Sequence, residues 1–497
     1  MFTLGYDIGS SSIKVTLFDT DKGDIVAQST YPKAEMPITA VKAGWAEQDP
    51  EMWWDAAKNA TREILAGTSI DTSRVAAIGI SYQMHGLVVV DKNGKVLRPS
   101  IIWCDSRAVA IGDKAFDELG HENCLSKMLN SPGNFTASKL RWVKENEPDI
   151  FRKINKFMLP GDFIAMKMTG EARTTVSGLS EGILWDFAGN KVSEMLLRQY
   201  GIDENLVSEI VPTFGEQGVL SAKAAEELGL KAGVKVTYRA GDQPNNAFSL
   251  NVLEPGQVAS TAGTSGVVYG ISDVIKYDPE TRVNTFAHVN HSKEKNRFGI
   301  LLCINGTGIS YSWIRKLVGG SISYPDLNAL AAKSPVGSNG LRFINFGNGA
   351  ERMLVNKELG ASLENINFNI QTREDAVRSV VEGVAFSFKY GIDIMKELGT
   401  TASEISAGHA NMFLSPIFTT TLATLAGATI NLYNTDGSVG AARAAAVGAG
   451  IYSNFKEAFT NLKKIATVEP DKKNADKYLS ACENWIEILN SKLKYRG

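Results

Sequence analysis

The chain has 497 residues and a formal net charge of −2 at pH 7, from 52 basic and 54 acidic side chains. Hydrophobic residues make up 44% and charged residues 21%, which is typical of a folded protein and is evidence against disorder. The length predicts at least two domains, and the balanced charge is evidence against a surface for nucleic acid or anionic membranes.

Two further features of the sequence concern the cell compartment. No run of about 18 apolar residues occurs, and the N-terminus enters a strand pattern without a basic and then apolar leader. The cysteines are far apart and form no CxxC pair: Cys104, Cys124, Cys303 and Cys482. This pattern is evidence against structural zinc and a disulfide framework. We therefore expect a cytoplasmic protein with no membrane partner and no nucleic-acid partner.

The first predicted element lies in the segment LGYDIGSSSIKVTLFDTDKG, residues 4–23. Ile13, Val15 and Leu17 occur at every second position, which predicts a strand. Asp7 is unusual in such a segment, because aspartate has a low strand propensity and an unpartnered buried charge is costly. We expect either that a ligand uses this carboxylate or that the strand reaches solvent there.

The turn after Asp7 has the composition of a phosphate site. Gly9 precedes three serines, and such small residues let backbone N–H groups and hydroxyls approach phosphate oxygens. The carboxylate suits Mg²⁺, which prefers oxygen ligands, and Lys14 on the next strand would offset phosphate charge. A plain hairpin with a solvated aspartate is the alternative, and the spacing is not that of a Walker-A loop.

The next elements are a helix, a strand and a hairpin. Residues 49–65 have a helical pattern that begins at Asp49-Pro50, a good cap and first-turn pair. Residues 74–81, RVAAIGIS, form a predicted buried strand. The Asn93-Gly94 pair then predicts a β-hairpin.

Two polar loops, YQMHG (82–86) and WCDSRA (103–108), lie on either side of that hairpin. His85, Asp105 and Arg107 carry the hydrogen-bonding groups that a polyhydroxylated ligand needs, and Trp103 offers an apolar face. For any one of these residues, a surface or buried structural role is the alternative. Together they make the two loops a candidate sugar site.

The segment GVKVTYRAGDQPNNAFSL, residues 233–250, predicts a strand, a polar turn and a helix with Pro244 in its first turn. Asp242 follows the strand directly, at the position where open α/β sheets place their ligands. A helix N-terminus also favours an ionised carboxylate. The alternative is a simple capping aspartate.

A second half begins near residues 254–256, and its first element repeats the form of the opening segment. The segment QVASTAGTSGVVYGI again predicts a strand, a small polar turn at Thr261–Gly266, and a strand. Two such units about 250 residues apart suggest a duplicated architecture, in which the two turns would grip one polyphosphate.

The remaining elements are predicted to be mainly helical. Residues 374–398 place valines at helical spacing, and residues 435–450 are rich in small residues, which predicts a helix packed very closely against another element. Between them, the Gly408–Asn411 stretch follows apolar residues and would let a flat base lie against the backbone. The tail, residues 455–497, has a charged amphipathic helical pattern.

Taken together, these motifs resemble the FGGY family of carbohydrate kinases over residues 3–455, and within that family the xylulose kinases. The resemblance implies an α/β fold of the actin/hexokinase-like (ribonuclease H-like) type, with duplicated ββαβα domains and an interdomain cleft. It predicts an N-terminal domain over 1–250, a C-terminal domain over 251–455 and a helical tail over 456–497.

The resemblance also implies roles for individual residues. Asp242 matches the catalytic base, Asp7 matches the Mg²⁺-coordinating carboxylate, and both are predicted near the metal. The predicted sugar contacts are Gln83, Met84, His85, Trp103, Asp105, Arg107 and Asn246. The predicted ATP contacts are Gly9, Ser11, Ser12, Lys14, Gly263, Thr264, Ser265, Gly408, His409 and Asn411.

The implied reaction is transfer of the γ-phosphate of ATP, with Mg²⁺, to a terminal hydroxyl of a ketopentose such as D-xylulose. The stretches WCDSR and GDQPNNA depart from the usual xylulose-kinase motifs, so ribulose, gluconate and glycerol stay open as substrates. Two other classes also stay open, an actin-like ATPase and a noncatalytic sugar-responsive regulator. The predicted partners are the sugar and ATP, and a homodimer is left open.

Overall fold

The computed structural model describes residues 1–495 of the chain. They form two compact units, each built from three stretches of sequence. The first unit contains Met1–Asn251, Phe286–Phe298 and Thr435–Leu462, and the second contains Val252–Thr285, Gly299–Asn434 and the described chain from Lys463 onwards. The predicted domains are continuous and the second ends at residue 455, whereas residues 435–455 lie in the first unit.

The strands of the first unit form a main sheet and several two-stranded pairs. They are β1 (Phe2–Ile8), β2 (Ile13–Asp19), β3 (Asp24–Tyr31), β4 (Glu47–Gln48), β5 (Val75–Tyr82), β6 (Val88–Val90), β7 (Ser100–Ile101), β8 (Lys156–Met158), β9 (Arg173–Thr175), β10 (Trp185–Asp186), β11 (Lys191–Val192), β12 (Glu209–Val211) and β13 (Lys235–Gly241). The main sheet has the order β13-β5-β1-β2-β3. Because β1 and β13 both run parallel to β5, the carboxyl ends of these strands meet at one edge.

The main sheet of the second unit repeats part of this pattern. Its strands and a separate pair are β14 (Val258–Ala262), β15 (Gly266–Ser272), β16 (Asn284–Ala287), β17 (Phe298–Ile304), β18 (Arg342–Phe346), β19 (Gly360–Glu364), β20 (Glu404–Gly408), β21 (Thr429–Tyr433) and β22 (Lys464–Val468). The main sheet has the order β16-β17-β15-β14-β20-β21-β22. Strand β14 is antiparallel to β15 and parallel to β20, as β1 is to β2 and β5, which supports the predicted duplication.

Helices cover the sheets and join the strands. They are α1 (Pro50–Gly67), α2 (Val109–Leu119), α3 (His121–Met128), α4 (Thr136–Asn146), α5 (Pro148–Phe151), α6 (Pro160–Thr169), α7 (Val176–Glu181), α8 (Glu194–Tyr200), α9 (Ala222–Leu228), α10 (Asp242–Ser249), α11 (Gly308–Gly319), α12 (Tyr324–Ala331), α13 (Arg373–Glu397), α14 (Pro416–Ala426), α15 (Gly437–Gly448), α16 (Phe455–Ala458) and α17 (Ala475–Tyr495). Within residues 1–495, no helix is both long enough and apolar enough to cross a bilayer.

The local signals in the sequence explain where several helices begin. The Asp49 side chain accepts a hydrogen bond from the Glu51 N–H at the start of α1, as the predicted Asp-Pro cap requires. Pro244 lies in the first turn of α10, where its missing N–H costs nothing. The valine stripe of α13 is buried in the core of the second unit, which confirms that predicted helix.

Helix α15 packs unusually closely on the main sheet of the first unit. A Cβ atom added to Gly5 of β1 would lie 2.0 Å from the Ser438 carbonyl oxygen, and one on Gly79 of β5 would lie 2.1 Å from the Ala441 oxygen. The Thr3 hydroxyl on β1 donates to the Ala442 carbonyl at 2.9 Å. The small residues of α15 therefore have the role that the sequence predicts for them, close contact with a neighbouring element.

Two segments differ from the predictions. The Asn93-Gly94 turn forms, but its return arm pairs only at the Val90–Val96 bridge, because β6 pairs with β8 instead. The predicted helical tail contains a strand, β22, which is antiparallel to β21. Its sequence, KIATV, is rich in β-branched residues, which favour a strand at a sheet edge.

We predict that Gly79→Ala lowers the free energy of unfolding by roughly 1 to 3 kcal/mol, because the new methyl group meets the backbone of α15. The midpoint of urea unfolding measures this change. Gly67→Ala is the matched control, because a Cβ there meets nothing within 4 Å at the end of α1, and the change should be neutral or stabilising. Equal midpoints for the two variants would contradict the close packing of α15.

Candidate active site

Three carboxylates of the first unit lie at the ends of elements around the edge of its main sheet. Asp7 is near the end of β1, Asp242 is the first residue of α10 directly after β13, and Asp436 is the N-cap of α15. The parallel arrangement of the strands and the packing of α15 bring these element ends to the same part of the unit.

Asp7 is held between a strand and a helix start. The Ser81 hydroxyl on β5 donates to its Oδ1 atom at 2.9 Å. On the other side, a Cβ atom on Gly437 would lie 2.5 Å from Oδ2, so only glycine lets α15 begin this close. Burial raises the pKa of Asp7, Ser81 and Lys14 lower it, and the charge of Asp436 raises it further.

Asp242 is half-buried and is electrostatically coupled to Asp7. Burial, followed by the negative charge of Asp7, raises the pKa of Asp242 to about 7. Asn246 lies one turn further along α10, and its Oδ1 atom would be 3.2 Å from a Cβ on Gly437. Asp7 and Asn246 therefore both lie against Gly437 at the N-terminus of α15, and Asp242 begins the helix that carries Asn246.

Asp436 is in a different electrostatic environment. Its Oδ1 atom accepts hydrogen bonds from the backbone N–H groups of Ser438 and Val439, at 3.0 and 3.1 Å. Its Oδ2 atom accepts from Lys14 at 3.3 Å and from Gln28 at 3.1 Å. Although burial opposes ionisation, Lys14 and these hydrogen bonds hold the pKa of Asp436 below its usual value.

The first glycine-serine turn lies beside this cluster on β1 and β2. The Gly9 N–H donates to the Ser12 carbonyl at 3.2 Å, which closes the turn. Ser11 in this turn is exposed to solvent. Lys14 follows on β2, where its ammonium group contacts Asp436. The turn therefore presents N–H groups, hydroxyls and one cation next to Asp7.

The loop at 82–86 lies close to the chain segment that leads into Asp242. The Gln83 side-chain amide is buried and has no hydrogen-bond partner within the described residues 1–495. A Cβ on Gly241 would meet Met84 at 2.6 Å and the Glu181 carboxylate at 2.9 Å, so this loop packs against the residue that precedes Asp242.

His85 has a specific orientation in this loop. Its backbone has a φ of +62°, in the left-handed region that a residue other than glycine rarely adopts. Its Nδ1 atom lies 2.9 Å from the Glu181 carbonyl oxygen, so Nδ1–H donates there and neutral His85 keeps Nε2 as an acceptor. The ring lies 4.7 Å from the Phe135 ring and 5.5 Å from the Phe286 ring.

The residues of the loop at 103–108 divide into two groups. The Trp103 side chain is 50% exposed, and its indole N–H donates to the Ser10 hydroxyl at 3.3 Å. Asp105 and Arg107 are instead buried and bind each other at 2.6 Å. The Arg107 guanidinium also binds Glu47 at 2.6 Å, so both side chains hold the loop together.

The second unit contains a cavity of about 450 Å³ at the turn between β14 and β15. Three predicted ATP contacts line it, Gly263, Thr264 and Asn411, together with polar and aromatic side chains of α11 and α12 such as Tyr311 and Asn328. Gly408 is the last residue of β20 and His409 follows it, and neither of them nor Ser265 is among the lining residues. The turn is fixed because the Gly308 N–H donates to the Gly263 carbonyl at 2.9 Å.

Comparison with known proteins gives a consistent result. Residues 2–249 match the model of the FGGY family of carbohydrate kinases, N-terminal domain. The xylulose kinase of Bacillus subtilis is 28% identical over 509 residues, with 99% of each chain covered. The xylulose kinase of Escherichia coli is 29% identical over 462 residues, with 92% of each covered. The structure of xylulose kinase from Rhodospirillum rubrum superposes with a TM-score of 0.90 at 25% identity and covers 100% of this chain and 99% of its own.

The chain belongs to the FGGY family of carbohydrate kinases. The actin/hexokinase-like fold class that the sequence predicts is confirmed. The roles predicted for individual residues stay predictions, and the structure of this kinase shows only where each residue lies.

The carboxylates of the kinase fit a magnesium ion. Mg²⁺ binds through one or two carboxylates together with water and substrate phosphates. Asp7 and Asp242 supply two such groups, and the raised pKa of each reflects burial and a neighbouring negative charge that a cation would offset. Within residues 1–495, no group of three or more His, Cys, Asp or Glu side chains is placed to hold a metal ion.

Sequence reasoning missed three residues of the first unit. Asp436 could have been found as an N-cap, because TDGS precedes the helix of small residues. The Glu181 carbonyl oxygen contacts His85. Burial and the negative charges of Asp242 and Asp162 raise the pKa of the Glu181 carboxyl well above its usual range, although the hydrogen bond from Tyr82 opposes this. Lys139 donates to two loop carbonyls. Lys139 lies in NFTASKLRWVKEN, a segment that resembles a signature of the family, although the pattern gives no role for it. No local pattern marks Glu181, because its position depends on tertiary contacts.

We predict that Asp242 of the metal-free kinase titrates near pH 7 and that Asp7→Asn lowers this pKa. Removing a like charge favours the ionised form of the remaining carboxylate. Isotope-edited infrared spectroscopy with ¹³C-aspartate, assigned by comparison with Asp242→Asn, measures the titration.

The exposed Asp24 gives the control for that titration, because Asp24→Asn should leave the pKa of Asp242 unchanged. A titration of Asp242 near the ordinary aspartate value of about 4, or no response to Asp7→Asn, would contradict the coupling.

Proposed function

We propose that this kinase transfers the γ-phosphate of ATP to the terminal hydroxyl of a ketopentose, with D-xylulose as the preferred acceptor and D-xylulose 5-phosphate as the product. The observation that carries the proposal is the packing around the start of α15, where a Cβ on Gly437 would lie 2.5 Å from the Asp7 carboxylate and 3.2 Å from Asn246 of α10, the helix that begins at Asp242. The similarity to xylulose kinases over at least 92% of the chain supports the sugar.

Asp242 acts as the general base in this mechanism. Its pKa of about 7 lets it be ionised at neutral pH and still accept a proton from the sugar hydroxyl as that oxygen attacks phosphorus. Phosphoryl transfer asks the protein mainly for positioning and charge neutralisation. When bound, Mg²⁺ would offset charge on the phosphates, and Asp7 and Asp242 are the residues that would hold it.

Two sets of residues are assigned to the nucleotide, and each is described within its own unit. Gly9, Ser11, Ser12 and Lys14 are proposed to contact its phosphates through the turn between β1 and β2. The cavity of the second unit suits a flat, uncharged base, because polar uncharged and aromatic side chains line it. We assign that role to the region of Gly263, Thr264, Ser265, Gly408, His409 and Asn411.

The sugar contacts are assigned to side chains of the two loops. His85 offers an acceptor nitrogen, Gln83 a buried amide without a partner within residues 1–495, and Trp103 an exposed apolar face. Met84 packs against Gly241, the residue before Asp242, and Asn246 lies one turn further along α10. Asp105 and Arg107 contribute by fixing the loop that carries Trp103. Because the WCDSR stretch departs from the usual xylulose-kinase motif, another polyol or sugar acid is the second candidate substrate. A cytoplasmic location for the reaction stays a prediction.

A coupled ADP-release assay with a panel of acceptors tests this proposal. The panel contains D-xylulose, L-xylulose, ribulose, gluconate and glycerol, and we expect the highest kcat/KM with D-xylulose. We also expect slow ATP hydrolysis without a sugar, because water can then act as the phosphoryl acceptor.

Each other result of the assay points to one alternative. A higher kcat/KM with another acceptor would move the assignment to that substrate. Rapid ATP turnover that no sugar changes would favour an actin-like ATPase, and sugar binding without ADP release would favour a regulator.

A further inference from the structure

We propose that Lys139 is a positioning residue that ties the two loops of the sugar site together through their backbones. The inference rests on the proposed function, since it concerns the loops at 82–86 and 103–108. Lys139 does not contact a reacting atom in this account. It fixes where His85 and Trp103 are presented to the substrate.

The contacts of Lys139 connect the two loops directly. Lys139 lies on α4 and is fully buried. Its Nζ atom donates to the His85 carbonyl oxygen at 2.9 Å and to the Ile102 carbonyl oxygen at 3.0 Å. One amine therefore holds the backbone of both loops at once.

Both carbonyls belong to residues whose backbone conformation determines the path of a loop. His85 has a left-handed backbone, which is unfavourable for its side chain and persists only where neighbouring groups hold it. The Lys139 bond holds its carbonyl, while the Glu181 carbonyl holds its ring nitrogen. Ile102 directly precedes Trp103, so a fixed carbonyl there sets the direction in which the loop leaves the core.

The charges around Lys139 agree with a hydrogen-bonding role. Within residues 1–495, no carboxylate lies within ion-pair distance of its Nζ atom, and Asp105 is bound by Arg107 and by the Ala46 N–H. Burial lowers the pKa of Lys139 to about 7, while Asp105, Cys104 and Glu181 oppose this and Arg107 adds to it. A neutral amine has two N–H donors, which matches the two loop carbonyls.

The alternative is that Lys139 only stabilises α4. Lys144 on the same helix offers a matched comparison, because its Nζ atom also donates to two backbone carbonyls, those of Tyr200 and Gly201. Those carbonyls belong to the end of α8, outside the two sugar loops. A purely structural role would make the two lysines equivalent in kinetic measurements.

The test compares Lys139→Met and Lys144→Met in the full chain. With D-xylulose and MgATP, we expect Lys139→Met to raise KM for the sugar at least tenfold, equivalent to about 1.4 kcal/mol. We expect KM for ATP and kcat to stay within about threefold, because the nucleotide contacts and Asp242 are unchanged. Lys144→Met should leave all three constants close to wild type.

Hydrogen exchange without any sugar gives an independent readout. We expect faster exchange for peptides covering 82–87 and 102–107 in Lys139→Met than in Lys144→Met, because the loops lose their shared anchor. If Lys139→Met does not fold, Lys139→Gln replaces it in both measurements, because its side chain is polar but one bond too short to hold both carbonyls as lysine does.

The outcomes separate this inference from the proposed function. If wild type phosphorylates none of the sugars, the proposed substrate fails, and the exchange data alone decide whether Lys139 anchors the loops. Unchanged exchange in the loops would overturn the inference. An unchanged sugar KM in an active Lys139 variant, or an equal rise in Lys144→Met, would also overturn it.

Discussion

The close packing of α15 on the main sheet of the first unit is the constraint on which the site depends. Gly5 and Gly79 leave no room for a side chain between the strands and the helix. This contact sets the position of the helix start, where Gly437 lies against Asp7. A helix held further from the sheet would carry Asp436 and its backbone N–H groups away from the carboxylate on β1.

The packing also explains how several carboxylates can share one place. Like charges at short range raise each other's pKa, and Asp7 and Asp242 both show this effect on top of burial. Asp436 escapes it because Lys14, Gln28 and the N-terminus of α15 stabilise its charge. The ionised form of Asp436 is therefore favoured, whereas the raised pKa values of Asp7 and Asp242 favour their neutral forms. This combination suits a site that binds a cation and accepts a proton.

A second set of contacts fixes the loops around this cluster. The buried pair of Asp105 and Arg107 closes one loop on itself, and Lys139 joins that loop to the one that carries His85. Most of these bonds use backbone carbonyls or side chains that do not face solvent. The exposed side chains of the loops can therefore be replaced without loss of the hydrogen bonds and ion pairs that hold the loops in place.

The sequence predicted the parts of the site that have a local signal. Asp7 with its glycine-serine turn and Asp242 between a strand and a proline-started helix both stand out within a few residues, and the duplicated strand pattern agrees with the fold. Glu181 has no local signal, and Lys139 lies in a segment that resembles a family signature but does not reveal its role. Both roles arise from contacts with residues more than 30 positions distant in the chain. The strand at 464–468 was missed because it forms by pairing with β21, a contact that amphipathic spacing does not reveal.

The most direct test of the account is the turnover of Asp242→Asn with D-xylulose and MgATP. The account predicts a fall in kcat of about 10²- to 10⁴-fold, the usual contribution of a positioned general base, with the circular dichroism spectrum unchanged. Asp24→Asn, at an exposed position, should keep wild-type turnover. Near-wild-type kcat in a folded Asp242→Asn protein would contradict the assignment of Asp242 as the base.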